Sequence, residues 1–349
     1  MRHDDRTDDL QLDTEALAAW MGDRTTITPP LEASQISGGR SNLTYRVVDA
    51  EGRAFIVRRP PLGNLLPGAH DMSREHRVMH ALADTPVPVP QMIGHCDDPD
   101  VIGAEFYAMS FVDGLILRTA EDAEAVEVGV RATATRSLAA TMAAMHAVDP
   151  AEVGLGSHLK GQDYLARQLH VWRRQLDAQK GRELPDEEAL HARLAANIPE
   201  QRAVSIVHGD YRLDNVVLHP DGTVAAVLDW ELWTLGDPLA DLAITMTYWA
   251  DGDDPALAVI GRPTTAEGFG DRHAFRAAYE EAGGLAMPDD LVGYYLAFGV
   301  WRQAAILEGV YQRNLAGAYG EGAEGWRVFE DLVPTMLDRA AAFADEAGI

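Results

Sequence analysis

The most constraining feature of this chain is a pair of short polar segments separated by a predicted β-hairpin. The first reads His-Gly-Asp-Tyr-Arg-Leu-Asp-Asn over residues 208–215, and the second reads Leu-Asp-Trp over residues 228–230. Two apolar runs lie between them, joined by the turn sequence His-Pro-Asp-Gly-Thr. Because a tight hairpin brings its two ends together, we expect Asn215 and Asp229 to lie close enough for their oxygens to bind one hard cation.

The composition is that of a globular protein. The chain has 349 residues, of which 47% are hydrophobic, so it is long enough to form two domains with a substantial core. It contains no apolar run of about 18 residues and does not begin with a signal-peptide pattern, so we expect neither a membrane span nor export. The single cysteine, Cys96, excludes an internal disulfide and agrees with a reducing compartment. These observations predict a cytoplasmic protein.

The net charge of the chain indicates which classes of binding partner to expect. Against 55 acidic residues there are 29 lysines and arginines, which gives a net charge of −26. A field of that sign repels nucleic acids and anionic membranes, so we expect neither as a partner. An acidic surface that aids solubility explains the charge, and attraction of a cationic substrate is the competing explanation. Lysine occurs only at residues 160 and 180, so every cation before residue 160 other than histidine is arginine.

The distribution of turn residues and apolar periodicity predicts three regions. Residues 1–29 form a polar tail and a helix, residues 30–113 form a lobe with antiparallel strands, and residues 114–349 form a mainly helical lobe. A helix over residues 73–82, capped by Ser73, follows the first strands. Strands are predicted at residues 35–48 (two, interrupted by a glycine pair), 54–58 and 106–112. Helices of the last region are predicted at residues 131–146, 161–178, 186–196, 238–250, 270–283, 288–313 and 323–346.

Several motifs together resemble those of the aminoglycoside phosphotransferase and choline kinase-like superfamily, from about residue 30 to the end of the chain. Within it, the chain is similar to the kinase-like domains fused to some acyl-CoA dehydrogenases. This resemblance implies an α+β, bilobal protein-kinase-like fold with a small antiparallel-sheet N-lobe and a large, mainly helical C-lobe. The motifs are Ser-Gly-Gly-Arg-Ser-Asn-Leu-Thr-Tyr at 37–45, Phe-Ile-Val-Arg-Arg-Pro-Pro at 55–61, Asp-Trp-Glu at 229–231, Leu-Gly-Asp-Pro at 235–238 and Trp-Arg at 301–302.

The resemblance implies roles for the two polar segments. The spacing from Asp210 to Asn215 is that of a kinase catalytic loop, in which the aspartate orients the attacking hydroxyl and the asparagine binds Mg²⁺. Asp229 would be the second magnesium ligand. Arg212 would stabilise charge on the transferred phosphoryl group, and a structural salt bridge to Asp214 or Asp237 is an equal alternative.

Three residues near these segments are expected to support them. We expect His208 to hold the loop in place and Asp241 to brace it. Asp237 is expected to cap the helix that begins at Pro238.

The resemblance also implies a nucleotide site in the N-lobe. Arg58 stands where the superfamily usually has the lysine that contacts the α- and β-phosphates, and Glu75 would be its ion-pair partner. A glutamate favoured by the helix dipole explains Glu75 equally well. For the glycine pair, a plain hairpin turn is the alternative to phosphate binding. For Met109, core packing is the alternative to a contact with a ligand. The remaining residues implied for ATP are Gly38, Gly39, Ser41 and Asn42 around the phosphates, and Met109 with the backbone of Ser110 and Val112 around the adenine.

Three functions are compatible with these residues. The first is an ATP- and Mg²⁺-dependent kinase that phosphorylates a hydroxyl of a small molecule, such as a hydroxyacyl compound or hydroxyacyl-CoA. The second is an aminoglycoside or macrolide antibiotic phosphotransferase, since a polycationic acceptor suits the acidic balance. The third is a nucleotide-binding pseudokinase, supported by Arg58 and the incomplete glycine loop. A CoA thioester would need an arginine patch, for which the candidates are Arg167, Arg173, Arg174, Arg302 and Arg313.

Overall fold

The computed structural model describes residues 12–36, 42–61, 71–156, 161–179, 181–249, 262–317 and 327–349. The predicted phosphate-contacting residues Gly38, Gly39 and Ser41 lie outside these ranges. The chain divides into two compact units. The first, here called the sheet unit, comprises residues 1–114 and 225–233, and the second, the helical unit, comprises residues 115–224 and 234–349. The domain boundaries predicted from the sequence stay a prediction, and residues 225–233 group with the sheet rather than with the helices.

The sheet unit is built on five antiparallel strands: β1 (Glu32–Gln35), β2 (Leu43–Val48), β3 (Ala54–Arg59), β4 (Met92–Cys96) and β5 (Phe106–Ser110). Their order in the sheet is β1-β2-β3-β5-β4. Strands β2, β3 and β5 were predicted, whereas β1 ends at residue 35, where the first predicted strand was expected to begin. Strand β4 was not predicted: it follows a proline-rich connection over residues 86–90, and its sequence alternates weakly, which hid it from pattern analysis.

Helix α1 (Thr14–Gly22) closes one face of this sheet. Its Leu17 and Met21 are fully buried against strand residues that include Tyr45, Val57 and Phe106. Fully burying an apolar side chain of this size contributes about 1.5–3 kcal/mol, so these contacts attach the helix firmly to the sheet.

Helix α2 (Met72–Leu82) carries a buried stripe at helical spacing, formed by Met72, Glu75, Val78, Met79 and Leu82. It begins one residue earlier than predicted because Asp71, and not Ser73, is its N-cap. The Asp71 carboxylate accepts a hydrogen bond of 2.9 Å from the amide of Arg74 and also one from the Ser73 hydroxyl. A short helix, α3 (Pro99–Ile102), follows β4.

The helical unit contains eight helices among the described residues. The seven helices predicted from periodicity correspond to the last seven of these eight in chain order. The predicted and observed helices differ only at their ends. The helices are α4 (Ala120–Glu124), α5 (Val128–Ala147), α6 (Tyr164–Gln179), α7 (Glu187–Ala196), α8 (Pro238–Met246), α9 (Arg272–Glu281), α10 (Asp289–Leu315) and α11 (Phe329–Glu346).

Short strands position the polar segments. Strand β6 (Ser205–Val207) pairs antiparallel with β9 (Thr234–Gly236) and delivers the chain into the loop at residue 208. Strands β7 (Val216–Leu218) and β8 (Val224–Val227) flank the predicted turn. The amide of His219 donates to the carbonyl of Thr223 across 2.8 Å, and Gly222 has a positive φ of 90°. A Cβ there would also lie 2.3 Å from the carbonyl oxygen of Val130, so this turn requires glycine.

Helix α8 is buried along its whole length. As predicted, Asp237 caps it and Pro238 occupies its first turn. The Asp237 carboxylate accepts from the amide of Leu239 at 2.9 Å and from the hydroxyl of Tyr295 at 2.7 Å. Among the described helices, none combines the length and apolar character that crossing a bilayer requires.

Candidate active site

The loop that begins at residue 208 is anchored to helix α8 through Asp241. One carboxylate oxygen of Asp241 accepts from the amide of His208 and the other from the amide of Gly209, both at 2.8 Å. The same carboxylate lies 3.2 Å from Nε2 of His146. Burial acts to raise the pKa of Asp241, but hydrogen bonds and charges from His146 and His208 together hold it below its usual value. Asp241 is therefore an ionised, fully buried brace for the loop, as predicted.

Local geometry also shapes the loop. Gly209 has a φ of 81°, which glycine adopts readily and other residues do not. The amide of Asp210 donates to Nδ1 of His208 at 3.3 Å, in keeping with the expectation that His208 holds the loop in place.

Asp210 lies at the centre of a set of donors. Its Oδ2 accepts from Nε of Arg212 at 3.1 Å and from Nδ2 of Asn215 at 3.0 Å, and its Oδ1 accepts from the hydroxyl of Tyr248 at 2.5 Å. Burial acts to raise the pKa of Asp210, but Arg212 and Tyr248 outweigh that effect and lower it. The carboxylate is therefore ionised at neutral pH and suited to orient a hydroxyl group.

Arg212 and Asn215 are both fixed by neighbouring oxygens. Nη1 of Arg212 contacts Asp214 at 2.6 Å, so the salt bridge to Asp214 considered from the sequence is present. Both hydrogen bonds of the Asn215 amide nitrogen go to Asp210, one to its carbonyl and one to its carboxylate. The amide oxygen of Asn215 is thus the atom suited to bind a cation. A contact of Arg212 with a transferred phosphoryl group stays a prediction.

A second polar cluster lies in the sheet unit around Arg58. Nη1 of Arg58 contacts Glu75 at 3.0 Å, Nη2 contacts Asp229 at 2.7 Å, and Nη2 lies 3.8 Å from Glu231. Although burial opposes the charge, the neighbouring anions raise the pKa of Arg58 well above its ordinary value. The predicted Arg58–Glu75 ion pair is present, and Asp229 shares the same guanidinium.

Glu75 is almost completely buried. Besides Arg58, it accepts from Nδ2 of Asn42 at 3.1 Å and from the hydroxyl of Tyr107 at 3.0 Å. Burial raises the pKa of Glu75 to about 7, while Arg58 acts in the opposite direction. These contacts favour the ion-pair explanation of Glu75 over a surface residue placed by the helix dipole. The side chain of Asn42 serves this cluster, so its contact with phosphate stays a prediction.

Asp229 has an unusual backbone conformation and a partly exposed side chain. Its φ of 59° lies in the left-handed region, where non-glycine residues are uncommon. Its side chain is 35% exposed, in contrast to that of Glu75, and one carboxylate oxygen is held by Arg58. Strained backbone of this kind often accompanies functional side chains.

The donor chemistry of Asn215 and Asp229 fits a magnesium ion. Amide and carboxylate oxygens are the ligands this ion prefers, usually with only one or two carboxylates and with substrate phosphates completing its shell. Within the described ranges, no group of three or more histidine, cysteine, aspartate or glutamate residues could hold a metal ion. Asn215 belongs to the helical unit and Asp229 to the sheet unit, so their predicted proximity stays a prediction.

The residues predicted for the adenine pocket lie at the end of β5. Met109 is buried in the sheet opposite Ile56. The amide of Ser110 donates to the carbonyl of Gln91 at 2.8 Å, and the Ser110 hydroxyl accepts from the Gln91 amide at 3.0 Å. Pairing with the chain before β4 therefore uses the Ser110 amide, which leaves the Ser110 carbonyl as its backbone group for a base edge, and that contact stays a prediction. The expected contact of the Val112 backbone with the adenine stays a prediction.

Three arginines near the predicted sites are buried or paired. Arg59, next to Arg58 in β3, is fully buried and donates to the hydroxyl of Tyr45 at 3.2 Å. Arg302 is buried beside the ring of Trp172, and Arg173 is paired with Glu187 at 2.9 Å. An arginine patch for a CoA thioester stays a prediction.

Tyr248 was not singled out from the sequence. It lies 38 residues after Asp210, so no local spacing connects the two. Its position seven residues after Asp241, within the predicted helix over residues 238–250, would place both on one side of that helix, but α8 ends at Met246 and Tyr248 lies in the turn that follows.

A cavity of about 580 Å³ lies elsewhere in the helical unit, among α9, α10 and α11. Its lining includes Arg272, Arg276 and Phe343, and none of the predicted site residues. Its charges are balanced by neighbouring acids such as Asp289, which pairs with Arg276 at 2.8 Å. We therefore assign it no role in the site.

Comparison with known sequences identifies the class of protein. Residues 32–284 match the sequence model of the phosphotransferase enzyme family, APH. The chain therefore belongs to this family, whose members transfer phosphate to an alcohol group. The predicted superfamily, the α+β kinase-like fold and the enzyme class are confirmed.

The relatives include acyl-CoA dehydrogenase family member 10 of Mus musculus, at 37% identity over 93% of this chain, and member 11 of Gallus gallus, at 35% over 88%. The match spans only 30% and 40% of those two proteins. Among solved structures, a candidate aminoglycoside phosphotransferase from Ralstonia eutropha is 34% identical, with a TM-score of 0.80 over 96% of this chain and 99% of that one. Choline kinase from Cryptosporidium parvum, at 15% identity, shares the fold with a TM-score of 0.63, over 96% of each chain.

Proposed function

We propose that this protein is an ATP- and Mg²⁺-dependent small-molecule kinase that transfers the γ-phosphoryl group to the hydroxyl of a hydroxyacyl compound. Hydroxyacyl-CoA is the first candidate. The observation that carries this proposal is the environment of Asp210, an ionised carboxylate held by Arg212 and Asn215 on a braced loop. That arrangement supports a group that orients an acceptor hydroxyl rather than one that only caps a turn.

Asp210 would act mainly by orientation. Phosphoryl transfer passes through a loose transition state, so positioning and charge neutralisation contribute more than early proton removal. The lowered pKa of Asp210 suits this role, because the group accepts a hydrogen bond from the acceptor hydroxyl while staying ionised. Arg212, next to Asp210, would offset charge on the transferred group.

Arg58 and Asp229 would serve the nucleotide. The guanidinium of Arg58 is suited to phosphate oxygens, and Glu75 would keep it oriented. The amide oxygen of Asn215 and the carboxylate of Asp229 would bind Mg²⁺, which supplies neutralisation of the phosphate charge when bound. Met109 would border the adenine, and the backbone of Ser110 and Val112 would contact the edge of the base.

The names of the relatives support the acyl acceptor. They are acyl-CoA dehydrogenase family members, and the match covers most of this chain but less than half of theirs. The alternative acceptor is an aminoglycoside, favoured by the similarity to the Ralstonia eutropha structure and by the net charge of −26.

A transfer assay decides between these acceptors. Purified protein with ATP and Mg²⁺ is incubated with hydroxyacyl-CoA thioesters, the corresponding free hydroxy acids, aminoglycosides and macrolides, and phosphorylated products are measured by mass spectrometry. We expect product from the hydroxyacyl compounds, with Asp210→Asn slower by about 10²–10⁴-fold, as for loss of a positioned acid–base group. Turnover confined to the antibiotics would overturn the acyl acceptor. ATP binding without any turnover above Asp210→Asn would overturn the kinase itself.

A further inference from the structure

The Tyr248 hydroxyl occupies one of the acceptor positions on the Asp210 carboxylate. It donates to Oδ1 of Asp210 at 2.5 Å, shorter than the two bonds to Oδ2 and typical of a hydroxyl bound to a carboxylate. Two further contacts fix the tyrosine. Its carbonyl accepts from the hydroxyl of Thr264 at 2.8 Å, and its ring centroid lies 5.6 Å from the guanidinium carbon of Arg212.

The remaining capacity of Asp210 is small. A carboxylate offers about four acceptor positions, two on each oxygen. Arg212 and Asn215 use both positions on Oδ2, and Tyr248 uses one on Oδ1. Within the described residues, one position on Oδ1 therefore remains, and it lies directly beside the Tyr248 hydroxyl.

We propose that Tyr248 is a positioning residue that keeps Asp210 from activating water, so that ATP is spent on the acceptor and not hydrolysed. This inference rests on the proposed kinase function. In the reaction it suppresses, a water oxygen bonds to the γ-phosphorus while the bond to the β–γ bridging oxygen breaks. ADP leaves with that electron pair, and the water proton passes to Asp210 and then to solvent.

The environment of Tyr248 suits a permanent donor. Burial and the nearby Asp210 charge raise the pKa of Tyr248 well above its ordinary value, so the phenol keeps its proton. Because the tyrosine fills one of the two positions on Oδ1, a small, mobile water has a single position left from which Asp210 could activate it. An acceptor that has its own contacts with the protein is positioned for the free site and does not depend on displacing the tyrosine.

Removing the phenol oxygen tests the inference. ADP formation is measured with ATP and Mg²⁺ but no acceptor, for the wild type and for Tyr248→Phe. We expect hydrolysis to rise about fivefold, the factor that corresponds to one ordinary hydrogen bond. The rise should disappear when Asp210→Asn is added. Tyr294→Phe is the matched control, because its buried hydroxyl donates to the carbonyl of Leu194 and does not contact Asp210.

A rise in ATP hydrolysis by Tyr248→Phe would distinguish the proposed role of Tyr248 from a purely structural one, because a variant with a destabilised site would lose activity. Thermal unfolding of each variant is measured alongside. Thr264→Val, which keeps the phenol but removes the contact to the Tyr248 carbonyl, should give a smaller rise. Hydrolysis by Tyr248→Phe at or below the wild-type rate overturns the inference, whatever the acceptor panel shows. Phosphate recovered on Tyr248 itself would also overturn it, since the residue would then be an acceptor. The proposed kinase function fails only in the separate transfer assay.

Discussion

Arg58 donates to the carboxylate of Asp229 across 2.7 Å through one nitrogen, while its other terminal nitrogen contacts Glu75 at 3.0 Å. A planar guanidinium can bridge two carboxylates in this way, whereas the ammonium of lysine is a single point charge. The arginine at this position therefore connects helix α2 to the segment that carries Asp229.

We predict that Arg58→Lys weakens binding of Mg·ATP although the charge is retained. Loss of one charge-assisted hydrogen bond of about 1.5 kcal/mol corresponds to roughly a tenfold weaker affinity, measurable by titration calorimetry. Arg53→Lys, which alters a partly exposed arginine in the turn before β3, is the control and should leave the affinity unchanged. Equal affinities for Arg58→Lys and the wild type would show that bridging is unimportant.

Asp229→Ala and Glu75→Ala should differ in their magnesium dependence. In the proposed site Asp229 is a direct ligand, whereas Glu75 only orients Arg58. We expect Asp229→Ala to remove most of the gain in ATP affinity that Mg²⁺ provides. Glu75→Ala should weaken binding yet keep that gain. Calorimetry with Mg²⁺ and with EDTA measures both, and an identical loss in the two variants would contradict the assignment.

Asp241→Asn should destabilise the protein strongly. The carboxylate accepts from two loop amides and pairs with His146, and it is fully buried. The asparagine side chain has only one acceptor oxygen. Its amide nitrogen would point at one of the two loop amides, which is also a donor, so that hydrogen bond would be lost. Leaving a buried donor unsatisfied costs about 1–3 kcal/mol, measurable by urea unfolding. Glu188→Gln, whose exposed carboxylate lies 3.6 Å from Arg173, should cost less than about 1 kcal/mol. A similar small loss for Asp241→Asn would contradict this prediction.

His76 should make the protein less stable in acid. Burial, together with His95, His80 and Arg77, lowers the pKa of His76 from 6.5 to about 4. Between these values the unfolded chain binds the proton and the folded protein does not, so the free energy of unfolding falls as the pH drops from 6.5 towards 4. At pH 5 the loss from this half-buried group is on the order of 1 kcal/mol, because solvent screens part of the repulsion.

Replacing His76 with a residue that does not titrate tests whether its effect on the free energy of unfolding has the predicted direction. His76→Gln removes the titrating group, so its stability should fall less than that of the wild type between pH 7 and pH 5. Urea unfolding at both values gives the two differences. Parallel losses in the two proteins would show that His76 does not contribute.

Local patterns explain which parts of the structure were predictable. The alternation in β2, the apolar run in β3, the cap at Asp237 and the fixed spacing from Asp210 to Asn215 depend on residues close in sequence. The burial of Arg59, the pairing that uses the Ser110 amide and the bond from Tyr248 to Asp210 depend on partners from distant segments. Propensity and spacing carry no information about such partners, so these features required the folded structure. The glycine-pair loop lies outside the described residues, and its role stays a prediction.

Three contacts with the Glu75 carboxyl group join helix α2 to the strands of one sheet. Asn42, which adjoins β2, and Tyr107 of β5 donate hydrogen bonds to it, and Arg58 of β3 forms an ion pair with it. Helix α2 cannot slide across the sheet without breaking these contacts together. We therefore expect helix α2 and these strands to move as one body within the sheet unit.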